Sequence, residues 1–276
     1  MLALGKYHEL IITRQTDNGL YLRDTDGTEV LLPNAYVPEN FDFEDKIRVF
    51  VYLDSEERPV ATTLRPHAVV GDFAYLRVKD ISAHGAYLDW GILKDLFVPF
   101  REQLHPLEVG EHYIFYVYLD EATDRLAAST RLNRFFRRDV ITVKEGEEVD
   151  LLIGHATDLG YNVVINNLHR GLLYKNEVFK KIKPGDRMKG YIKRVRPDGK
   201  TDVTIRKKGV EQVGGSAQII LKKLRESGGF LPLHDKSKPE EIRQKLEMSK
   251  KNFKKAIGGL YKRRLIEIEE RGIKLV

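Results

Sequence analysis

Lys189, Tyr191 and Lys193 stand at alternate positions in the segment RMKGYIKRV. Alternate residues of a β-strand share a face, so a strand here presents a basic, aromatic, basic row. That chemistry suits single-stranded RNA: the ammonium groups meet phosphates, and the ring takes a base in a stack worth ~1 to 3 kcal/mol. The same pattern arises when the ring fills a core and the lysines sit in solvent. A second cationic group comprises Lys251, Lys254, Lys255, Lys262, Arg263 and Arg264, interleaved with Phe253, Ile257, Leu260 and Tyr261. The apolar four fall at i, i+4, i+7 and i+8, the spacing of one helix face, and the cations flank it. Either they contact a nucleic-acid backbone or they form a solvated face favoured by the helix dipole.

Catalytic constellations are scarce. His8, His67, His84, His105, His112, His155, His169 and His234 form no metalloprotease pair and no other metal-ligand spacing. Cysteine is absent, which removes disulfides, thiolate metal sites and cysteine nucleophiles. Gly199-Lys200-Thr201 ends like a phosphate loop, but Arg194 stands where that loop needs its first glycine. Carboxylates such as Asp80, Asp89 and Asp95 have an ordinary reason in surface solubility. The reading is a binding protein with no catalytic residue, no metal and no cofactor.

The elements that must position these residues emerge when the sequence is laid over itself. A shift of 66 pairs Gly5 with Gly71, Gly19 with Gly85, Tyr21 with Tyr87, Pro33 with Pro99, Asp54 with Asp120 and Arg65 with Arg131. A further shift of 75 pairs Gly85 with Gly160, Gly110 with Gly185 and Arg131 with Arg206, giving a third, more diverged copy. The second copy reads as five short strands, FAYLRVKDIS, GAYLDW, DLFVP, HYIFYVYL and RLAAST, with FREQLHPLEVGE between the third and fourth. Five strands with one such interruption suit a small five-stranded barrel of the oligonucleotide-binding type. Tyr191 and Lys193 align with Tyr116 and Tyr118 of the second copy.

The phrase His84-Gly85-Ala86-Tyr87-Leu88, followed by Asp95-Leu96-Phe97-Val98-Pro99, resembles the S1 RNA-binding barrel. In the third copy Gly160-Tyr161 and Tyr174 occupy the matching strands, and Val203-Thr204-Ile205-Arg206 is similar to the S1 ending. The resemblance implies an RNA-contacting role for Tyr161, for Tyr174, which stands at the family's histidine position, and for Arg206. Copies one and two carry Pro33 and Pro99 at that position and lack its stacking side chain. His84, in an acidic unit, reads as a surface or turn histidine.

Beyond residue 210 helical punctuation takes over. Ser216 is expected to cap a helix through Ile219, Ile220 and Leu224 that stops at Gly228-Gly229. Ser237-Lys238-Pro239-Glu240 reads as a capping box for a second helix, and Ser249 starts the third. LIEIEERGIKLV then reads as a hairpin, so this part is a winged helix. Three S1-like units followed by a winged helix resemble the conserved virulence factor B family of bacterial RNA-binding regulatory proteins, which implies control of gene expression after transcription.

The expected fold is therefore mostly β with a C-terminal α+β domain, tandem five-stranded OB-fold/S1 barrels plus a winged helix-turn-helix. The boundaries are barrel 1 over 1–65, barrel 2 over 66–131, a linker over 132–144, barrel 3 over 145–207 and the winged helix over 211–276. Lys207 to Gly215 reads as a short hinge. In Asn133-Arg134-Phe135-Phe136-Arg137-Arg138, the two phenylalanines are expected to pack the second unit against the third. Charge divides the chain: residues 1–131 carry 13 basic and 22 acidic side chains, 132–206 carry 16 and 10, and 207–276 carry 18 and 9. Polyanion binding needs clustered Lys and Arg, so barrel 3 and the winged helix are expected to hold single-stranded RNA. The acidic barrels 1 and 2 would space the molecule or dock a protein.

Two rivals remain: a transcription regulator that reads duplex DNA with the winged helix, and a protein-interaction scaffold on the translation or transcription machinery. Glu267, Glu269 and Glu270 on the hairpin are poor chemistry beside duplex phosphates. There is no run of ~18 apolar residues, and MLALGKYHELII lacks a signal-peptide pattern, so the expected compartment is the cytoplasm with no membrane partner.

Overall fold

The computed structural model describes residues 2–137, 141–178, 181–196, 199–206 and 211–276. These form two compact units, Met1–Phe136 and Arg137–Val276.

The first unit holds two closed barrels. Barrel 1 comprises β1 (Lys6–Thr16), β2 (Gly19–Arg23), β3 (Glu29–Pro33), β4 (Lys46–Leu53) and β5 (Pro59–Thr62). Barrel 2 comprises β6 (Phe73–Ile81), β7 (Gly85–Asp89), β8 (Leu96–Pro99), β9 (His112–Asp120) and β10 (Arg125–Ser129). Both share one strand order, first-second-third-fifth-fourth and back to the first. The period-2 pattern explains the strands: Leu20 and Leu22, or Ala86 and Leu88, face the core while Tyr21 and Tyr87 face out. A bulge bends the first strand of each barrel, between Ile12 and Arg14 and between Val78 and Asp80. The glycine that opens each second strand is a close-approach position. A Cβ on Gly85 would lie 2.3 Å from the Val98 carbonyl oxygen, and one on Gly19 would lie 2.1 Å from that of Leu32.

The two barrels are not independent beads. Phe50 and Tyr52 of barrel 1 belong to the same buried cluster as Leu88, Trp90 and Phe115 of barrel 2. Trp90 meets Phe50 edge-on at 5.6 Å between centroids. The segment after barrel 2 packs on that barrel. Phe135 stacks on Tyr116 at 4.0 Å and Phe136 on Phe73 at 4.6 Å, so both rings cover barrel 2 itself. Arg134 pairs with the buried Glu102 at 2.5 Å. The driving force is the outward aromatic row of β9, whose apolar surface is removed from water by the next residues of the chain. Arg138 lies outside the described residues.

In the second unit, barrel 3 repeats the order with β11 (Glu148–Ala156), β12 (Gly160–Ile165), β13 (His169–Tyr174), β14 (Arg187–Val195) and β15 (Thr201–Thr204). Its register matches the others: Gly160 opposes Tyr174 as Gly85 opposes Pro99. His169 is buried, with its ring nitrogens at 2.9 Å from the Thr142 hydroxyl and 3.2 Å from the Arg137 carbonyl oxygen, a satisfied core histidine.

The chain ends in a winged helix: α1 (Glu211–Glu226), β16 (Phe230–Leu231), α2 (Pro239–Leu246), α3 (Lys250–Lys262), β17 (Ile266–Glu269) and β18 (Gly272–Leu275). Ile220, Leu224, Ile242, Phe253, Ile257 and Leu260 form its core. Local details differ from expectation. Helix α1 starts at Glu211, so Ser216 is buried inside it and Gly214-Gly215 is helical rather than a hinge, because packing of Ile220 and Leu224 stabilises the helix beyond what local propensity predicts. Lys207 to Gly209 lie outside the described residues. On α2 the cap position is Lys238, whose N–H donates to Glu241, while Ser237 accepts from the His234 N–H in the preceding turn. Ser249 caps α3 as expected, accepting from the Asn252 N–H at 3.2 Å. Among the described residues no helix is long and apolar enough to cross a membrane.

Candidate nucleic-acid interface

On β14, Gly190 and Ile192 are buried while Lys189, Tyr191 and Lys193 lie on the outer face, as the alternation predicts. The row does not stand alone. Register places Asp150 opposite Lys189 and Glu148 opposite Tyr191. Lys189 pairs with Asp150 at 2.8 Å, and the Tyr191 hydroxyl donates to Glu148 at 2.8 Å. Hydrogen-bonded to Asp150, the Lys189 ammonium is held above its ordinary pKa. Lys193 reaches Glu177 at 2.5 Å. Exposed pairs of this kind contribute about 0 to 1 kcal/mol, which a phosphate can replace.

Tyr174 and Tyr161 take different sides of the sheet. Tyr174 ends β13 on the outer face, and its hydroxyl accepts from Arg196, itself held by Asp202 at 2.8 Å. Tyr161 opposes Leu173 and packs against the barrel core, so its ring supports the fold. On the outer face of β12 and β13 the positions equivalent to Tyr87 and Phe97 of barrel 2 are Asn162 and Leu172, which removes the ring pair. Arg206 donates to the Glu247 carbonyl oxygen at the end of α2, and burial pulls its pKa below the ordinary value. It fastens barrel 3 to the winged helix.

Glu177, which the sequence reading did not single out, accepts from both Lys193 and Thr204 and sits in the short turn after Tyr174. It is an acid inside the basic field. Glu177→Gln is expected to remove a carboxylate from this basic field and raise affinity for single-stranded RNA by about 3- to 5-fold, corresponding to about 1 kcal/mol. Fluorescence anisotropy of a labelled oligonucleotide checks this, and an unchanged or lower affinity would place the strand away from β14.

The winged helix supplies the second cationic patch. Lys251, Lys254, Lys255, Lys262 and Arg263 are exposed, and none of them forms an ion pair among the described residues. Tyr261, expected on the apolar face, is 56% exposed, while Ala256 takes a place in the core instead. The sequence reading missed this ring because i+8 from Phe253 falls at the edge of the buried stripe. Lys251, Lys255, Gly258 and Lys262 follow one another at i, i+4, i+7 and i+11 along one side.

A family description, S1 domain, matches residues 4–64 and 70–131, which are barrels 1 and 2. A second, CvfB-like winged helix domain, matches residues 218–275. Over 270 residues the chain is 28% identical to the uncharacterized protein YitL of Bacillus subtilis, covering 94% of this chain and 89% of that one. Over 258 residues it is 26% identical to conserved virulence factor B of Staphylococcus epidermidis, covering 90% and 86%. A solved structure described as a multidomain protein with nucleic acid binding domains, from Streptococcus pneumoniae, aligns over 99% of this chain and 98% of that one, with 22% identity and a TM-score of 0.43.

Proposed function

From the premise that this chain carries S1 domains and a CvfB-like winged helix domain and is similar to conserved virulence factor B over most of its length, we propose that it is a non-catalytic RNA-binding regulator acting in the cytoplasm. Its domain types are those of nucleic-acid binding. In this reading a single strand of RNA lies on barrel 3 and continues along α3. The observation that carries it is the exposed cationic face of Lys251, Lys254, Lys255, Lys262 and Arg263, without ion pairs among the described residues, in the same unit as the β14 row. Residues 132–276 hold 34 basic and 19 acidic side chains, which favours a polyanion. The strand would meet Lys189, Tyr191, Lys193 and Tyr174 before reaching the helix. RNA rather than duplex DNA is favoured by the exposed acids Glu267, Glu269 and Glu270 on the wing, which oppose a second phosphate backbone. Regulation after transcription follows as the use such binding would serve.

Tyr191 gives the sharpest test. Tyr191→Phe keeps a ring but loses the bond to Glu148, and it is expected to hold RNA affinity. Tyr191→Ala should lower it by roughly 5- to 150-fold, the value of one base stack. Equal losses in both variants would show that the hydroxyl, not the ring, matters.

A further inference from the structure

Barrels 1 and 2 enclose a cleft of about 790 Å3 that the RNA reading does not use. Its wall is the outer face of β7 and β8, where the Tyr87 and Phe97 rings lie 5.2 Å apart, and its mouth carries Phe100, 51% exposed. Tyr52 of barrel 1 and the buried Trp90 line it as well. This is the barrel face that would take oligonucleotide bases in the S1 resemblance, but its charges are differently disposed.

Three cationic residues line the cleft, and each is already held by its own chain. Arg101 pairs with Asp120 at 2.6 Å, Arg125 with Glu57 of barrel 1, and the Lys94 ammonium donates to the Asp54 carbonyl oxygen at 2.6 Å. The lips add the exposed acids Glu121 and Asp124 beside Thr123, while Glu56 beside Glu57 is paired with Arg58 at 2.8 Å. Residues 1–131 hold nine more acidic than basic side chains. A phosphodiester strand therefore meets a repelling field, whereas a basic segment is attracted. Both barrels are closed, so no strand edge is open for β-addition. Recognition must run through side chains, and exposed rings take proline, aliphatic groups and arginine planes.

We infer that this cleft docks an extended, basic segment of another protein, with an apolar or proline anchor among Tyr87, Phe97 and Phe100 and its cations against the acidic lips. The inference stands apart from RNA binding, because the cleft lies in Met1–Phe136 and the α3 lysines in Arg137–Val276.

Trp90 is the chain's one tryptophan, so its emission reports on the cleft. A displayed library of random short peptides is selected on the full chain, and enriched peptides are titrated against Trp90 fluorescence. Basic peptides with apolar or proline anchors are expected to be enriched, to change the emission saturably, and to lose about 10-fold or more in affinity with Phe100→Ala or Tyr87→Ala. Both rings face outward, so these variants are expected to stay folded, which a thermal melt verifies. Three results overturn the assignment: no enrichment of basic peptides, binding that survives both substitutions and is thus mere adhesion to acidic surface, or a saturable Trp90 response to single-stranded RNA that Phe100→Ala abolishes.

Discussion

Replacing Lys251, Lys254, Lys255 and Lys262 together with alanine is expected to weaken single-stranded RNA binding on the order of 100-fold near physiological salt. The magnitude follows from counterion release. Each phosphate contact on a single strand contributes a slope of about 0.7 in log affinity against log salt, so about 0.6 decade near 0.15 M, and four contacts give about 2.3 decades. The slope itself should fall by about 2.8. All four side chains are exposed and form no ion pair among the described residues, and alanine is a strong helix former, so stability should change little. Anisotropy over a salt series measures slope and affinity together. An unchanged slope would remove α3 from the binding surface. Tighter binding of duplex DNA than of single-stranded RNA, lost in the same variant, would favour the transcription-regulator reading instead.

Trp90→Ala is expected to be the most destabilising single substitution proposed for the first unit. The indole is 2% exposed, packs edge-on against Phe50 of barrel 1, and donates its N–H to the Lys94 carbonyl oxygen at 2.6 Å. Lys94 in turn reaches the Asp54 carbonyl oxygen, so one buried ring and one lysine tie the second barrel to the first. Truncating a buried tryptophan costs about 3 to 5 kcal/mol through lost burial and the cavity left behind. For a unit of this size that corresponds to a fall in Tm of about 10 to 15 °C. Differential scanning calorimetry checks the value, and the melt should lose cooperativity if the barrels part. RNA affinity measured below the transition should be kept, because the β14 row and α3 belong to the other unit. A change within about 1 kcal/mol would mean that the barrels do not depend on each other.

Much of the architecture was legible in the sequence because it rests on local, periodic signals. The repeats announced themselves through Gly19, Gly85 and Gly160, which recur because a partner carbonyl passes where a Cβ would stand. Alternation along RMKGYIKRV assigned Lys189, Tyr191 and Lys193 to one face, and the helical period put Phe253, Ile257 and Leu260 inward and the lysines outward. Charge counting separated the two halves. None of this required knowing what any strand pairs with.

The contacts that decide what those residues do were set elsewhere. Asp150 and Glu148 came opposite Lys189 and Tyr191 through the β11–β14 register, and Glu177 reached Lys193 through the closure of the barrel. Tyr161 turned to the core because it shares a face with Leu173, and Arg206 was drawn to the end of α2. Phe135 and Phe136 folded back on barrel 2, and Tyr52, Tyr87 and Trp90 met in one cleft only because two barrels share a buried cluster. The sequence by itself thus determined the repeated barrels, the winged helix, the outward rows and the sign of each half. Tertiary structure alone decided which outward side chains are committed to partners and which stay exposed, because strand period and helix pitch act between near neighbours, whereas register and packing bring together residues far apart along the chain.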